Sequence, residues 1–216
     1  MTQWTDFKNW LQERLQQPLP GYDAQRKMMT LHRPDSKSVP AGARQSGVLI
    51  LMYPDAEDIK IVLIERSADG GVHSGQIALP GGKKEDSDKD IVATALREAN
   101  EEIALNIDTV QVLGRLSSLY IPVSNFEVNP VIGFSEQVPT LVPSEYEVAR
   151  IVTLSINEIF TRKEMVKVIA SGIPMLTINT IAYLFEEDKF IWGATAMILA
   201  ELENLWEEFI TSSLPD

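Results

Sequence analysis

Apolar residues near the start of the chain recur at helical spacing: Trp4, Phe7, Trp10, Leu11 and Leu15, with Gln3, Lys8, Glu13 and Arg14 between them. This predicts an amphipathic helix over about 6–16, stopped by Pro18 and Pro20. From 21 to 45 the periodicity fades, and an irregular connection with room for one short helix is expected. Strand patterns then take over. Residues 47–53 (GVLILMY) form a continuous apolar run, Pro54, Asp55 and Ala56 signal a turn, and 59–66 (IKIVLIER) is alternating and β-branched. Together they predict a hairpin. Residues 76–82 (QIALPGG) predict a short strand entering a Pro-Gly-Gly turn, and helical spacing returns over about 90–103. Further strands are expected at 110–116, 126–134 and 149–154. Ser155 and Glu158 form a capping-box pattern, which predicts a helix over 158–170. A hairpin of 175–185 with 189–192 and a helix over about 194–210 complete the chain.

Strands do not alternate strictly with helices, which predicts an α+β fold rather than a doubly wound sheet. Residues 1–45 are expected to pack as an N-terminal helix and irregular connection on a domain formed by 46–216, which includes the C-terminal helix.

Charge narrows the functions. Nineteen basic against 31 acidic residues give a net charge of −12, which argues against general nucleic-acid binding. Such a surface also repels anionic substrates unless a cation or a local basic cluster intervenes. There is no cysteine, so disulfides, thiolate metal sites and cysteine nucleophiles are excluded. The first fifteen residues carry no signal-peptide core, and no apolar run approaches the ~18 residues of a membrane span. A cytoplasmic protein without membrane or nucleic-acid partners is expected. A homodimer is compatible with the pattern, though no residue specifies it.

The 90–103 helix carries the candidate chemistry. At ~100° per residue, Glu98, Glu101 and Glu102 fall within one arc of ~100°. Glu98 and Glu102 are a like-charge i,i+4 pair, which costs roughly 0.2–0.5 kcal/mol. Glu101 and Glu102 also face the negative end of the helix dipole. A hard divalent cation such as Mg2+ or Mn2+ would reverse both effects; a solvated acidic face is the alternative. Ala95 and Ala99 would let the helix lie close to a sheet. Upstream, Gly81 and Gly82 permit close backbone approach to a ligand, and Asp88 or Asp90 can cap the helix.

The stretch 81–105, GGKKEDSDKDIVATALREANEEIAL, resembles the signature box of the Nudix hydrolases. Arg97, Glu98, Ala99, Glu101, Glu102 and Leu105 match; after Gly82 and five intervening residues, Asp88 stands where the box has glutamate, and Ala104 stands where it has glycine. Asp88 in place of glutamate, with eight residues between it and Arg97, resembles the coenzyme A pyrophosphatase branch. Residues 63–82, LIERSADGGVHSGQIALPGG, are similar to that branch's upstream motif, with Arg66, Ser67, Gly75, Pro80, Gly81 and Gly82 at the expected offsets. Ile64, Gly71 and Leu79 depart from it.

The resemblance implies a Nudix fold, a mixed sheet sandwiched between helices with added terminal helices. It implies metal-dependent hydrolysis of a diphosphate in coenzyme A or a derivative, giving phosphopantetheine and adenosine 3′,5′-bisphosphate. The small-molecule partner would otherwise be a dinucleotide or nucleotide sugar, and a non-catalytic nucleotide-binding regulator is the alternative of another class. Glu98, Glu101 and Glu102 are the implied metal ligands, with Glu101 a further ligand or general base. A backbone carbonyl of Gly81 or Gly82 would complete the shell. Arg97 would orient a glutamate, or else form a surface pair with Glu101. Arg66, Ser67, His73, Gly81 and Gly82 are candidate substrate contacts, and Glu147 is a candidate additional carboxylate.

Overall fold

The computed structural model describes residues 3–30, 38–56, 58–68, 75–169 and 177–213. Helices α1 (Gln3–Arg14) and α2 (Gly21–Gln25) precede the hairpin of β1 (Arg44–Asp55) and β2 (Asp58–Arg66). Short strands β3 (Ile77–Ala78) and β4 (Gly81–Lys83) lead to helix α3 (Ile91–Ile103). Then come β5 (Val110–Arg115), β6 (Leu119–Ile121), β7 (Phe126–Ser135) and β8 (Val148–Ser155). A single turn, α4 (Ile156–Ile159), precedes β9 (Lys163–Ile169), β10 (Thr177–Glu186), β11 (Lys189–Ile191) and helix α5 (Gly193–Ser213).

The main sheet has eight strands in the order β3-β2-β1-β7-β5, with β4 on β1, β6 on β7 and β8 on β2. β1 runs parallel to β7 and antiparallel to β2 and β4, so the sheet is mixed. A smaller sheet has the order β11-β10-β9.

The continuous apolar run of β1 has a simple cause: both of its faces are buried. Leu49, Leu51 and Tyr53 join Val62, Ile64, Ala95, Ala99 and Ile103 in one cluster beneath α3. Ile50 and Met52 join Ile61, Leu63 and Phe134 in a second cluster with α1 and α5. The side-chain period of two therefore delivers Arg66, in phase with Val62 and Ile64, to the α3 face. Glu65 goes to the opposite face, where it pairs with Arg150 at 2.7 Å and with Lys189.

The N-terminal aromatic stripe is core. Phe7 is buried, edge-on to Trp206 at 4.7 Å between centroids, and Trp4 stacks on Phe134 at 6.0 Å. Burial of one such ring contributes about 2–3 kcal/mol.

The structure corrects one expected helix. After Ser155 caps α4, the chain makes only one turn before entering β9. Residues 163–169 contain Val166, Val168 and Ile169, and their full ladder with 177–183 overrides the local capping signal. The expected strand at 76–82 divides in two, because β3 pairs with β2 while β4 pairs with β1. β6 has no counterpart among the expected strands. No helix of the described residues is long and apolar enough to cross a membrane.

Candidate active site

The site forms where α3 crosses β1 and β4. Gly47 of β1 lies directly under the helix: a Cβ there would sit 2.7 Å from the Ile91 carbonyl oxygen and 3.0 Å from the Ala95 nitrogen. Its ladder partner on β4 is Gly82. A Cβ on Gly82 would collide with the Glu98 carboxylate, and one on Gly81 would collide with the backbone of Gly47 and Val48. Gly81 also has a φ of 153°, which favours glycine. These glycines, with the buried Ala95 and Ala99, bring strand, turn and helix together.

The helix begins as a capped N-terminus, with the Ala93 amide donating to Asp90 Oδ1 at 2.9 Å. Asp88 does other work. Its buried carboxylate accepts from Arg97 Nε at 2.9 Å and Nη2 at 3.1 Å, from the Thr94 hydroxyl at 2.9 Å and from the Glu85 amide at 2.8 Å. The Arg97 guanidinium, then the Glu85 amide and Thr94, hold this carboxyl well below the usual range despite its burial. Arg97 also reaches Glu98 at 3.0 Å, Glu101 at 2.9 Å and the Lys83 carbonyl at 3.1 Å. One planar guanidinium thus joins the 83–88 loop to two glutamates of α3. The helix ends at Ala104, which adopts the left-handed conformation with φ 50°. Asn106 caps the following short turn at Asp108 rather than α3.

The three box glutamates occupy different settings. Glu101 is exposed and tied to Arg97. Glu98 is half-buried, and desolvation raises its pKa, with Arg97 opposing and Glu101 and Glu147 reinforcing. Glu102 is 2% exposed. Its side chain accepts from the Gly81 amide at 2.8 Å and from Arg66 Nη1 at 3.3 Å. Burial pushes its pKa up to about 7; Gly81 and Arg66 oppose this, while Glu98 and Glu147 add to it.

Glu147 is exposed, on a turn whose backbone is fastened to the site: the Ser144 amide donates to the Glu102 carbonyl at 2.9 Å, and the Ser67 amide donates to the Glu147 carbonyl at 3.0 Å. The structure thus brings Arg66, Ser67, Gly81, Gly82, Glu98, Glu102 and Glu147 to one place, with Arg97 and Glu101 beside it. His73 lies outside the described residues.

Among the described residues no three acidic or histidine side chains form a ready-made metal cluster. The donor chemistry nevertheless fits a hard divalent ion: Glu98 and Glu102 present carboxylates beside the Gly81–Gly82 backbone, and both have pKa values raised in part by neighbouring negative charge. A groove of about 660 Å³, lined by Asn106, Gln111, Phe134, Glu136 and Thr140 among others, contains none of these groups.

Residue spacing did not reveal the Asp88–Arg97 pair, Thr94 or Gly47. A glycine at the head of an apolar strand was the available signal for Gly47, since it marks close backbone approach.

The NUDIX domain family profile matches residues 43–171. The chain belongs to the Nudix family. It is 37% identical over 162 residues to the uncharacterized Nudix hydrolase NudL of Pectobacterium atrosepticum, covering 74% of this chain and 81% of that one. A namesake from Yersinia enterocolitica is 34% identical over 175 residues, covering 80% and 86%. Among solved structures, the fold is similar to the Nudix hydrolase RenU of M. smegmatis (TM-score 0.52, 16% identity, 88% of this chain and 97% of that one). It is also similar to a MutT/nudix family protein of Enterococcus faecalis (TM-score 0.52, 15% identity, 96% and 76%). These last two likenesses concern the fold alone. The α+β Nudix fold with extra terminal helices expected from the sequence is the one observed. The chain is therefore a Nudix hydrolase, an enzyme class acting on nucleoside diphosphate derivatives and generally requiring divalent metal ions.

Proposed function

We propose that this Nudix hydrolase cleaves the diphosphate of coenzyme A or a coenzyme A derivative with Mg2+ or Mn2+, giving phosphopantetheine and adenosine 3′,5′-bisphosphate. The observation that carries the metal-dependent part is Glu102, a carboxylate 2% exposed whose neighbours Glu98 and Glu147 are also negative. Glu98 and Glu102 would hold the ion, with a carbonyl of Gly81 or Gly82 beside them. The ion would neutralise the diphosphate and acidify a water. Arg97, anchored on Asp88, orients Glu98 and keeps Glu101 close to it. Glu101 and Glu147 are the exposed carboxylates available to accept a proton from water. Arg66 and Ser67 would meet the substrate.

Support for coenzyme A comes from the 63–82 motif and the lengthened loop carrying Asp88. Gly71, where that motif has arginine, favours the second reading: a dinucleotide or nucleotide sugar. Incubating the protein and Mg2+ with coenzyme A, acyl-coenzyme A, a diadenosine polyphosphate and a nucleotide sugar separates these readings. Coenzyme A turnover yielding the 3′,5′-bisphosphate is expected. Turnover of the others alone would select the second reading, and no turnover by folded, metal-loaded protein would sink the enzymatic proposal.

A further inference from the structure

Arg66 is held unevenly. Its backbone is fixed: its amide donates to the Gln76 carbonyl at 3.0 Å, its carbonyl accepts from Gly75 at 3.2 Å, and the next amide, of Ser67, donates to Glu147 at 3.0 Å. Its side chain has a single carboxylate contact among the described residues, at 3.3 Å to Glu102, and is 36% exposed. A fixed base and a lightly tied, half-exposed guanidinium allow the head group to swing without moving the strand. Glu102, by contrast, is buried and anchored from the other side by Gly81.

We propose that Arg66 is a placeholder counter-ion: it neutralises Glu102 until a divalent cation binds there, and is then released to grip the substrate diphosphate. The reason is electrostatic. Glu102 has one carboxylate to share, and a divalent ion on it repels a guanidinium at contact distance. The displaced head group moves towards solvent, the side from which a diphosphate would arrive, and its planar donors suit two phosphate oxygens. The cation thus prepares the site twice, by its own charge and by freeing a cation already present. Diphosphate and metal would then bind with positive coupling carried partly by Arg66. This rests on the assignment of Glu98 and Glu102 to the metal.

Calorimetry at pH 8.5 with Mg2+ alone, and with the non-hydrolysable α,β-methylene-ADP, tests the exchange. Arg66→Gln should bind Mg2+ about threefold more tightly than wild type, because the competing ion pair is gone. It should bind the analogue in Mg2+ about tenfold more weakly. In the wild-type protein, the Arg66 side-chain NMR signal should move on adding Mg2+ and again on adding the analogue. Unchanged or weaker Mg2+ binding by a folded Arg66→Gln variant would overturn the exchange, as would an Arg66 signal indifferent to Mg2+. Failure of wild type to bind Mg2+ would instead remove the metal assignment, and this proposal with it.

Discussion

Glu201 on α5 and Glu102 on α3 are both buried glutamates, 0% and 2% exposed, yet their surroundings differ. Glu201 accepts four hydrogen bonds: from the Gly21 amide at 2.9 Å, Gln25 Nε2 at 3.0 Å, the Ser117 amide at 3.2 Å and the Ser117 hydroxyl at 2.7 Å. Neutral donors from three residues meet one carboxylate and tie α2 and the 116–118 loop to α5. Glu102 receives two donors and faces the charges of Glu98 and Glu147. Burial alone therefore does not mark function. A buried carboxylate whose acceptor sites are filled by neutral donors is structural, whereas one short of donors and crowded by like charge calls for a cation.

Exchanging each glutamate should separate these roles. Glu102→Gln should lower kcat about a thousandfold, because it removes a metal ligand and several kcal/mol of transition-state stabilisation. Its urea midpoint at pH 8 should be equal to or above wild type. Activity within a few-fold of wild type would break the comparison. Glu201→Ala should do the reverse, destabilising the protein by about 3 kcal/mol or more in urea unfolding, since it strands buried donors. The KM of the folded fraction should stay unchanged; a loss below about 1 kcal/mol would mean Glu201 is not the tie described.

Much of this contrast was legible in the sequence on one side only. Glu102 announced itself because like charges at i,i+4 oppose local helix physics, and a glycine turn precedes them. Glu201 did not, because its partners Gly21, Gln25 and Ser117 are distant in sequence and only the fold brings them together. The same distinction governs the elements. β1 and α3 follow from periodicity, while the sequence of β9 predicts a helix because the Ser155 cap is local and the strand's pairing with β10 is not. Arg66 and Glu102 were each legible as site residues, but their pairing was not, since that contact spans 36 positions.

A smaller effect sharpens the account of α3. Ala104 terminates the helix in a left-handed conformation that a Cβ disfavours. Ala104→Gly should raise stability by roughly 0.5–1 kcal/mol in urea titration, with kcat unchanged. A destabilised variant would show that the Ala104 methyl contributes packing that outweighs the strain.

The pH dependence of stability, with and without Mg2+, tests the central claim most directly. The folded-state pKa of Glu102 is about 7 against an ordinary 4.5, so between these values the folded protein holds a proton that the unfolded chain releases. Its contribution is fully present below the ordinary value and is lost as pH rises through about 7, costing up to roughly 3 kcal/mol. Glu98, also raised, acts in the same direction. Asp88, whose pKa is lowered, loses its contribution only in stronger acid. The metal-free protein should therefore melt at a lower temperature at pH 8.5 than at pH 5. Mg2+ should restore that loss at pH 8.5, and Glu102→Gln should keep only the part of the pH response that Glu98 supplies and gain little from Mg2+. A Glu102→Gln protein with the wild-type pH slope and the wild-type gain from Mg2+ would contradict the assignment of Glu102 as the buried carboxylate that requires a cation.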